Sequence, residues 1–187
     1  MSAPAPAASH ELLERDDELD RLGRLTADAA RGHGAVVVLE GPAGIGKTSL
    51  LEAAVQLAEA ARLGVLAARG GELERDFAYG VVRQLLERPV GRAAPQQRER
   101  WLEGAAALAG PLLGLASDRH VGDDPTAAAL HGLYWLTANI SADTPLLVVV
   151  DDLHWVDGAS LRFLAYLARR VAELPVLLLT ASRPPIE

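Results

Sequence analysis

The chain of 187 residues contains no cysteine. This excludes disulfide scaffolds, thiolate zinc sites, iron–sulfur clusters and cysteine nucleophiles. Long apolar runs are also missing, because segments such as Leu146–Val150 and Val176–Leu179 are far shorter than the roughly 20 residues of a membrane-spanning helix. The sequence does not open with a basic stretch followed by an apolar one, so no secretory signal is predicted. These absences predict a cytoplasmic domain with no membrane partner.

Positive charge is scarce. The chain has 18 Lys and Arg residues against 25 Asp and Glu residues, which gives a formal net charge of -7. A duplex-binding surface needs clustered positive charge, so no direct nucleic-acid contact is expected from this chain. Lys47 is the single lysine, and every other basic residue is an arginine. A lone lysine in an arginine-rich chain indicates a position where a compact ammonium is chemically required.

The organisation of the chain predicts one α/β domain. Residues 1–10 are rich in alanine and proline and are predicted to be a disordered lead-in to a domain over residues 11–187. Short, wholly apolar runs alternate with helical patterns, which is typical of a parallel sheet covered on both faces in three α/β/α layers. The predicted strands are Ala35–Leu39, Val65–Arg69, Leu146–Val150 and Val176–Thr180.

Helix signals separate these strands. Asp16 or Asp17 is the predicted cap of a first helix, with Gly32 just past its end, and Asp157 is the predicted cap of the last. The segment 89–95 begins and ends with proline and is predicted to break the chain. The first predicted helix runs from its cap to Arg31, and another begins at the pair Asp124-Pro125. The remaining predicted helices cover Ser49–Arg62, Phe77–Leu86, Arg98–Leu108 and Ala159–Ala172.

A glycine-rich segment lies between the first predicted strand and the second predicted helix. Its residues are Gly41-Pro42-Ala43-Gly44-Ile45-Gly46-Lys47-Thr48, which fit G-x-x-x-x-G-K-[ST] at every fixed position. Glycines let backbone N–H groups point inward at an anion, and the following helix adds its positive end. Lys47 is expected to reach the β- and γ-phosphates and Thr48 to ligate Mg²⁺. The alternative is a glycine-rich turn with a chance lysine.

Two carboxylates end the clearest strand, at Asp151 and Asp152. Ligands of open parallel sheets bind at the carboxyl ends of strands, so both acids should emerge beside the glycine-rich segment. Asp151 is predicted to hold the metal, and Asp152 is predicted to orient or deprotonate the attacking water. The alternative is that two aspartates simply end a strand and begin a solvated turn.

The strings GPAGIGKTS and LLVVVDDLHWVD together resemble the nucleotide-binding domain of the signal-transduction ATPases with numerous domains, and more narrowly the ATPase module of large ATP-binding LuxR-type transcriptional regulators. The resemblance implies an ASCE-type P-loop NTPase fold, with ATP and Mg²⁺ as cofactors and slow hydrolysis that switches a transcriptional regulator. It also implies that the domain is incomplete after residue 187, before a last strand, a helical lid and a C-terminal helix-turn-helix. Self-association through an exposed sheet edge and contacts with those further domains are expected.

The resemblance also assigns roles to single residues. It implies that Ser49 binds ATP or ADP together with the glycine-rich segment, and that Arg15 lies near the base and ribose. Thr180-Ala181-Ser182-Arg183 is similar to a strand end in the family whose arginine senses the γ-phosphate, so Arg183 is the expected sensor. His154 and Trp155 are interpreted as residues that structure the loop.

Two other functions remain open. The first is a binding module that loads nucleotide and hydrolyses nothing. The second is a small-molecule phosphotransferase, for which Arg98 and Arg100 could serve as lid arginines. The preference for ATP over GTP rests on the resemblance, because the chain has no guanine-reading N-K-x-D motif.

Overall fold

A computed structural model describes residues 15–115 and 125–184. These residues form four strands and six α-helices, with at least one helix between consecutive strands and 3₁₀ segments in several of the connections. The strands are β1 (Ala35–Glu40), β2 (Gly64–Arg69), β3 (Leu146–Asp151) and β4 (Val176–Ser182). The helices are α1 (Asp16–Ala30), α2 (Lys47–Ala60), α3 (Gly80–Arg92), α4 (Pro95–Trp101), α5 (Pro125–Asp143) and α6 (Gly158–Ala168).

The strands form one sheet in the order β1-β4-β3-β2, and every neighbouring pair is parallel. Because all strands run the same way, all their carboxyl ends lie at one edge. The register pairs Glu40 with Ser182 and Arg69 with Asp151, so those ends are level with one another. The predicted parallel α/β fold is confirmed.

The core divides into two clusters, one on each face of the sheet. On one face, α1 and α2 pack on alternate residues of the central strands, and the cluster includes Leu22, Leu50, Leu147, Val149, Leu177 and Leu179. On the other face, α3, α5 and α6 pack on the intervening residues, and the cluster includes Val82, Leu136, Phe163, Val148, Val150 and Leu178. Residues 146–150 are buried throughout, which explains why this strand is wholly apolar rather than alternating.

The predicted break over residues 89–95 is confined to residues 93 and 94, between α3 and α4, and its predicted start at Pro89 is wrong. The helix α3 begins three residues later than predicted, leaving Phe77 exposed, and continues through Pro89 to Arg92. A proline inside a helix removes one hydrogen bond and costs about 3 kcal/mol. Here the turn after it places Val90, which is 1% exposed, in the core beside Leu86. Burial of this apolar stripe offsets the cost.

The prediction of one helix over Arg98–Leu108 is also wrong. The α-helix α4 ends at Trp101, and a 3₁₀ helix follows over Gly104–Leu113. The two segments are separate because Gly104 adopts a positive φ of 64°, which interrupts an α-helix. Asp124 lies outside the described residues, as does the lead-in 1–10.

The other helix starts differ by one to three residues from the prediction, whereas α5 begins at Pro125 as predicted. Arg15 occupies the N-cap position of α1, so Asp16 and Asp17 lie in its first turn, where negative charge suits the helix dipole. The second helix begins at Lys47 rather than Ser49, which brings the helix end directly against the glycine-rich segment. The predictions for Gly32, which follows α1 with a φ of 94°, and for Asp157 as the cap of α6 are confirmed.

Candidate nucleotide-binding site

The segment Gly41–Gly46 joins β1 to α2 and presents backbone N–H groups at a helix end. Gly44 and Gly46 have φ values of 80° and 87°, which residues with a side chain rarely adopt. No side chain caps the 14-residue helix α2, so its first N–H groups remain available to a ligand. This backbone has the form of an anion-binding loop at a helix N-terminus.

The side chain of Lys47 folds back over this segment. Its Nζ donates hydrogen bonds to the carbonyl oxygens of Gly41, at 2.6 Å, and Pro42, at 2.8 Å. An ammonium has three donors, so one remains for a further acceptor. The carbonyl groups of Gly41 and Pro42 therefore orient the Lys47 ammonium before an anion binds in the loop.

Thr48 and Asp151 connect the start of α2 to the end of β3. The Thr48 hydroxyl donates to Asp151 Oδ2 at 3.2 Å, and Asp151 Oδ1 accepts from the backbone N–H of Asp152 at 2.8 Å. Hydroxyl and carboxylate oxygens are ligands that Mg²⁺ prefers. Among the described residues no group of three or more His, Cys, Asp or Glu side chains could hold a metal by itself. The donor set thus fits a Mg²⁺ ion that also uses phosphate oxygens and water.

Asp152 is bound by an arginine that sequence reasoning missed. Arg69, the last residue of β2, donates from Nε to Asp152 Oδ2 at 2.8 Å, and its second guanidinium nitrogen lies 2.6 Å from the same oxygen. This bond, and then the charges of Asp152 and Asp151, raise the pKa of Arg69. The backbone of Asp152 is left-handed, with φ at 50°. The available signal was an arginine ending the second apolar strand, level with Asp151.

The backbone of Arg69 is held on both sides. Its N–H donates to the side-chain oxygen of Gln84 at 3.0 Å, and its carbonyl accepts from the same amide at 3.3 Å. On the other side Gly70 N–H donates to the Asp151 carbonyl at 3.0 Å. Gly70 packs so closely on the loop after β3 that an added Cβ would lie 2.5 Å from the Asp152 carbonyl oxygen. The two strand ends are therefore locked together.

One open cleft of about 350 Å³ gathers most of the predicted residues. Three cations and two carboxylates face it: Lys47, Arg69, Arg183, Asp151 and Asp152. The remaining lining consists of Ala43, Gly44, Gly46, Thr48 and Ser49. The structure thus brings the exposed residue Arg183, from the end of β4, into the same cleft as the segment Gly41–Gly46. We call this segment the phosphate loop and this cleft the phosphate cleft.

Some predicted residues lie beside this cleft rather than in its lining. Arg15 donates a hydrogen bond to the carbonyl of Ile45, so it contacts the back of the phosphate loop. A larger cleft of about 610 Å³ lies between residues 103–105 and α5 and is lined by Arg100 and Trp135. Arg98 and Arg100 are absent from the described lining of the phosphate cleft, so the structure does not support them as lid arginines.

The loop after β3 is fixed by aromatic contact and by capping. The rings of His154 and Trp155 lie 5.1 Å apart, and His154 Nε2 is 4.0 Å from Asp152 Oδ1. Asp157, only 3% exposed, accepts from the N–H groups of Ser160 and Tyr79, both at 2.8 Å, and from Val81 at 3.4 Å. Burial would raise the pKa of Asp157, but hydrogen bonds from the Ser160 hydroxyl and then from the backbone N–H groups of Ser160, Tyr79 and Val81 outweigh it and hold the pKa below the usual 3.8. One carboxylate therefore caps both α6 and α3.

Residues 11–179 match the family model of the AAA ATPase domain, and the chain belongs to this family. It is 31% identical over 194 residues to the uncharacterized protein R02095 of Rhizobium meliloti (strain 1021), an alignment that covers 92% of this chain and 18% of that protein. The chain thus spans less than a fifth of this curated relative. The family and the site together define a nucleotide-binding AAA ATPase domain.

Two solved structures resemble the fold over 96% of this chain. Cdc6p from Pyrobaculum aerophilum has a TM-score of 0.56 at 16% identity, with 42% of that chain covered. The ORC2 protein of Aeropyrum pernix, solved as ADPNP-ADP complexes, has a TM-score of 0.53 at 21% identity, with 44% covered. At these identities the likeness shows the fold alone, which is that of a P-loop NTPase. No helix in the described parts of the chain is long and apolar enough to cross a membrane.

Proposed function

We propose that this domain binds ATP with Mg²⁺ and hydrolyses it slowly, as the switch module of a larger signal-transducing transcriptional regulator. One observation carries the ATPase part: residues from the start of α2 and from the ends of β3 and β4 line one cleft, namely Lys47, Thr48, Asp151, Asp152 and Arg183. If the glycine-rich segment were only a turn and the aspartates only ended a strand, there would be no reason for these side chains to meet in one cleft. Phosphoryl transfer needs mainly positioning and charge neutralisation, so these few groups suffice.

Each side chain has a distinct role in the proposal. The N–H groups of the phosphate loop and of Ser49 bind phosphate oxygens, and Lys47 places its charge at the β- and γ-phosphates. Asp152 accepts a hydrogen bond from the attacking water and orients it. Arg183 contacts the γ-phosphate and senses its loss after hydrolysis. Arg15 holds the loop through Ile45 and stands beside the base and ribose.

The residues present fit a Mg²⁺ ion at Thr48 and Asp151, whose oxygens already lie 3.2 Å apart. When bound, the ion would neutralise charge on the phosphate oxygens. Chelation of the metal is therefore expected to weaken ATP binding more than ADP binding.

The regulatory part of the proposal rests on other support. The Asp-Asp-Leu-His-Trp-Val-Asp string resembles the ATPase module of LuxR-type regulators, and the curated relative is more than five times longer than the matched region. The charge of -7 argues against DNA contact by this domain itself. DNA binding and signal sensing belong to other domains of such a protein, and this domain contacts those domains.

The Arg69–Asp152 ion pair favours a second candidate, a module that binds nucleotide without turnover. An aspartate whose Oδ2 is held by a guanidinium at 2.6 Å is a poor acceptor for a water proton. In this candidate the pair persists when ATP is bound, and the domain serves as a nucleotide-dependent scaffold.

Two variants test the proposal. Lys47→Ala is expected to weaken Mg²⁺-dependent ATP binding by about a hundredfold, because it removes a full charge from the phosphates. Asp152→Asn is expected to keep binding and lose turnover, whereas nucleotide binding with no phosphate release by the wild type would favour the scaffold. Isothermal titration with ATP and GTP and a phosphate-release assay provide the measurements. Arg24→Ala, on the exposed face of α1, is the matched control. Equal nucleotide binding by Lys47→Ala and wild type would refute the proposal.

A further inference from the structure

Arg69 combines a fixed backbone with an exposed side chain. Its N–H and carbonyl are both bonded by Gln84, and the neighbouring Gly70 is bonded to β3. The side chain itself is 70% exposed, whereas that of its partner Asp152 is 16% exposed. The guanidinium can therefore change its partner by side-chain rotation alone, without disturbing the strand that carries it.

Two anions would compete for this guanidinium in a loaded cleft. Arg69 lines the same cleft as Lys47, Ser49 and Arg183, so a phosphate bound there brings negative charge within its reach. The arginine side of this ion pair is exposed to water, which weakens the pair, and a phosphate offers a guanidinium two acceptor oxygens and more charge. The Asp152 carboxylate supplies only one oxygen, Oδ2, to both contacting nitrogens.

The geometry points to Arg69 as a γ-phosphate ligand that exchanges partners: it holds Asp152 when the terminal phosphate is absent and transfers to that phosphate when it is present. The transfer frees Asp152 Oδ2 to accept a hydrogen bond from the attacking water. Binding of a triphosphate thus unmasks the carboxylate that its hydrolysis needs, while a diphosphate leaves the carboxylate occupied. This inference rests on the proposed ATPase function and adds a substrate-gated step to it.

The first test compares affinities for ADP and for a non-hydrolysable ATP analogue, both with Mg²⁺, in the full chain. Arg69→Ala is expected to weaken binding of the analogue about tenfold and that of ADP less than about twofold, because the lost contact is to the terminal phosphate. Arg69→Lys keeps the charge but not the paired donors, so its affinity for the analogue is expected to lie between those of wild type and Arg69→Ala. Arg24→Ala is expected to change neither affinity. An unchanged ratio of the two affinities in Arg69→Ala would overturn the inference.

The second test observes the exchange directly. In ¹⁵N-arginine-labelled protein, the Nε–H signal that disappears in Arg69→Ala belongs to Arg69. This signal is expected to shift with the ATP analogue and to stay in place with ADP, whereas a shift with neither or with both would contradict the exchange. Failure of the proposed function would look different, because then wild type and Lys47→Ala would bind each nucleotide equally. If wild type binds nucleotide and Lys47→Ala weakens that binding, but Arg69→Ala leaves the ratio of the two affinities unchanged, the exchange is refuted and the proposed function is not.

Discussion

Replacement of Asp157 by alanine is expected to destabilise the chain by about 3 kcal/mol, although Asp157 is absent from the described lining of the phosphate cleft. The carboxylate caps α6 through Ser160 N–H, and loss of such a cap costs about 1 kcal/mol. It also accepts from Tyr79 N–H at 2.8 Å, and a buried donor left without a partner costs about 2 kcal/mol. The longer contact to Val81, at 3.4 Å, adds little.

Urea denaturation followed by circular dichroism measures this loss at pH 7. For a chain of this size the same loss lowers the melting temperature by roughly 9 °C. Asp157→Asn keeps one acceptor oxygen but loses the charge, so about half of the effect is expected. Asp20→Ala removes an exposed aspartate of α1 and is expected to stay within about 0.5 kcal/mol of wild type.

The pH dependence gives the prediction a sign. The folded state holds the pKa of Asp157 below its usual 3.8, so the charged form stabilises the fold. This contribution is complete above the unfolded pKa and is lost as the pH falls through the lower folded pKa. The difference between wild type and Asp157→Asn should therefore be constant near neutrality and shrink below pH 3.8. If Asp157→Ala unfolds at the same urea concentration as Asp20→Ala, the double cap does not stabilise the fold.

Two further predictions concern close packing and the sheet edge. Gly70→Ala is expected to cost about 2 kcal/mol or more and to reduce turnover, since its Cβ would press on the Asp152 carbonyl, whereas Gly23→Ala, with nothing within 4 Å, should be neutral or stabilising. Urea denaturation of both variants checks this, and equal stabilities would contradict it. Val38, 58% exposed on β1, which is an edge strand among the described residues, is expected to drive self-association. In sedimentation experiments Val38→Lys should therefore shift the protein toward monomer, whereas Leu73→Lys, a control at an exposed leucine outside the sheet, should not. The reverse result would show that the protein does not associate through β1.

Much of the site could be predicted because its signals are local or follow from strand direction. The phosphate loop is a continuous segment whose glycines and lysine have chemical reasons to stand where they do. Asp151 and Asp152 end an apolar run, and parallel strands bring their carboxyl ends to one edge, so both acids were expected beside the glycine-rich segment, where Asp151 contacts Thr48. Arg183 was expected there because Thr180-Ala181-Ser182-Arg183 is similar to a strand end in the family, and it lines the cleft. The rule on strand direction, applied to β2, would also have indicated Arg69.

Tertiary packing decided the rest. Arg69 and Asp152 are 83 positions apart, and Tyr79 and Asp157 are 78 apart, so no local pattern marks either pair. Pro89 and Gly104 show the same limit: the first stays inside a helix because its face is buried, and the second interrupts one because its backbone turns left-handed. Local chemistry determined which residues can bind phosphate, whereas partner choice and helix ends depended on contacts that exist only once the sheet has formed.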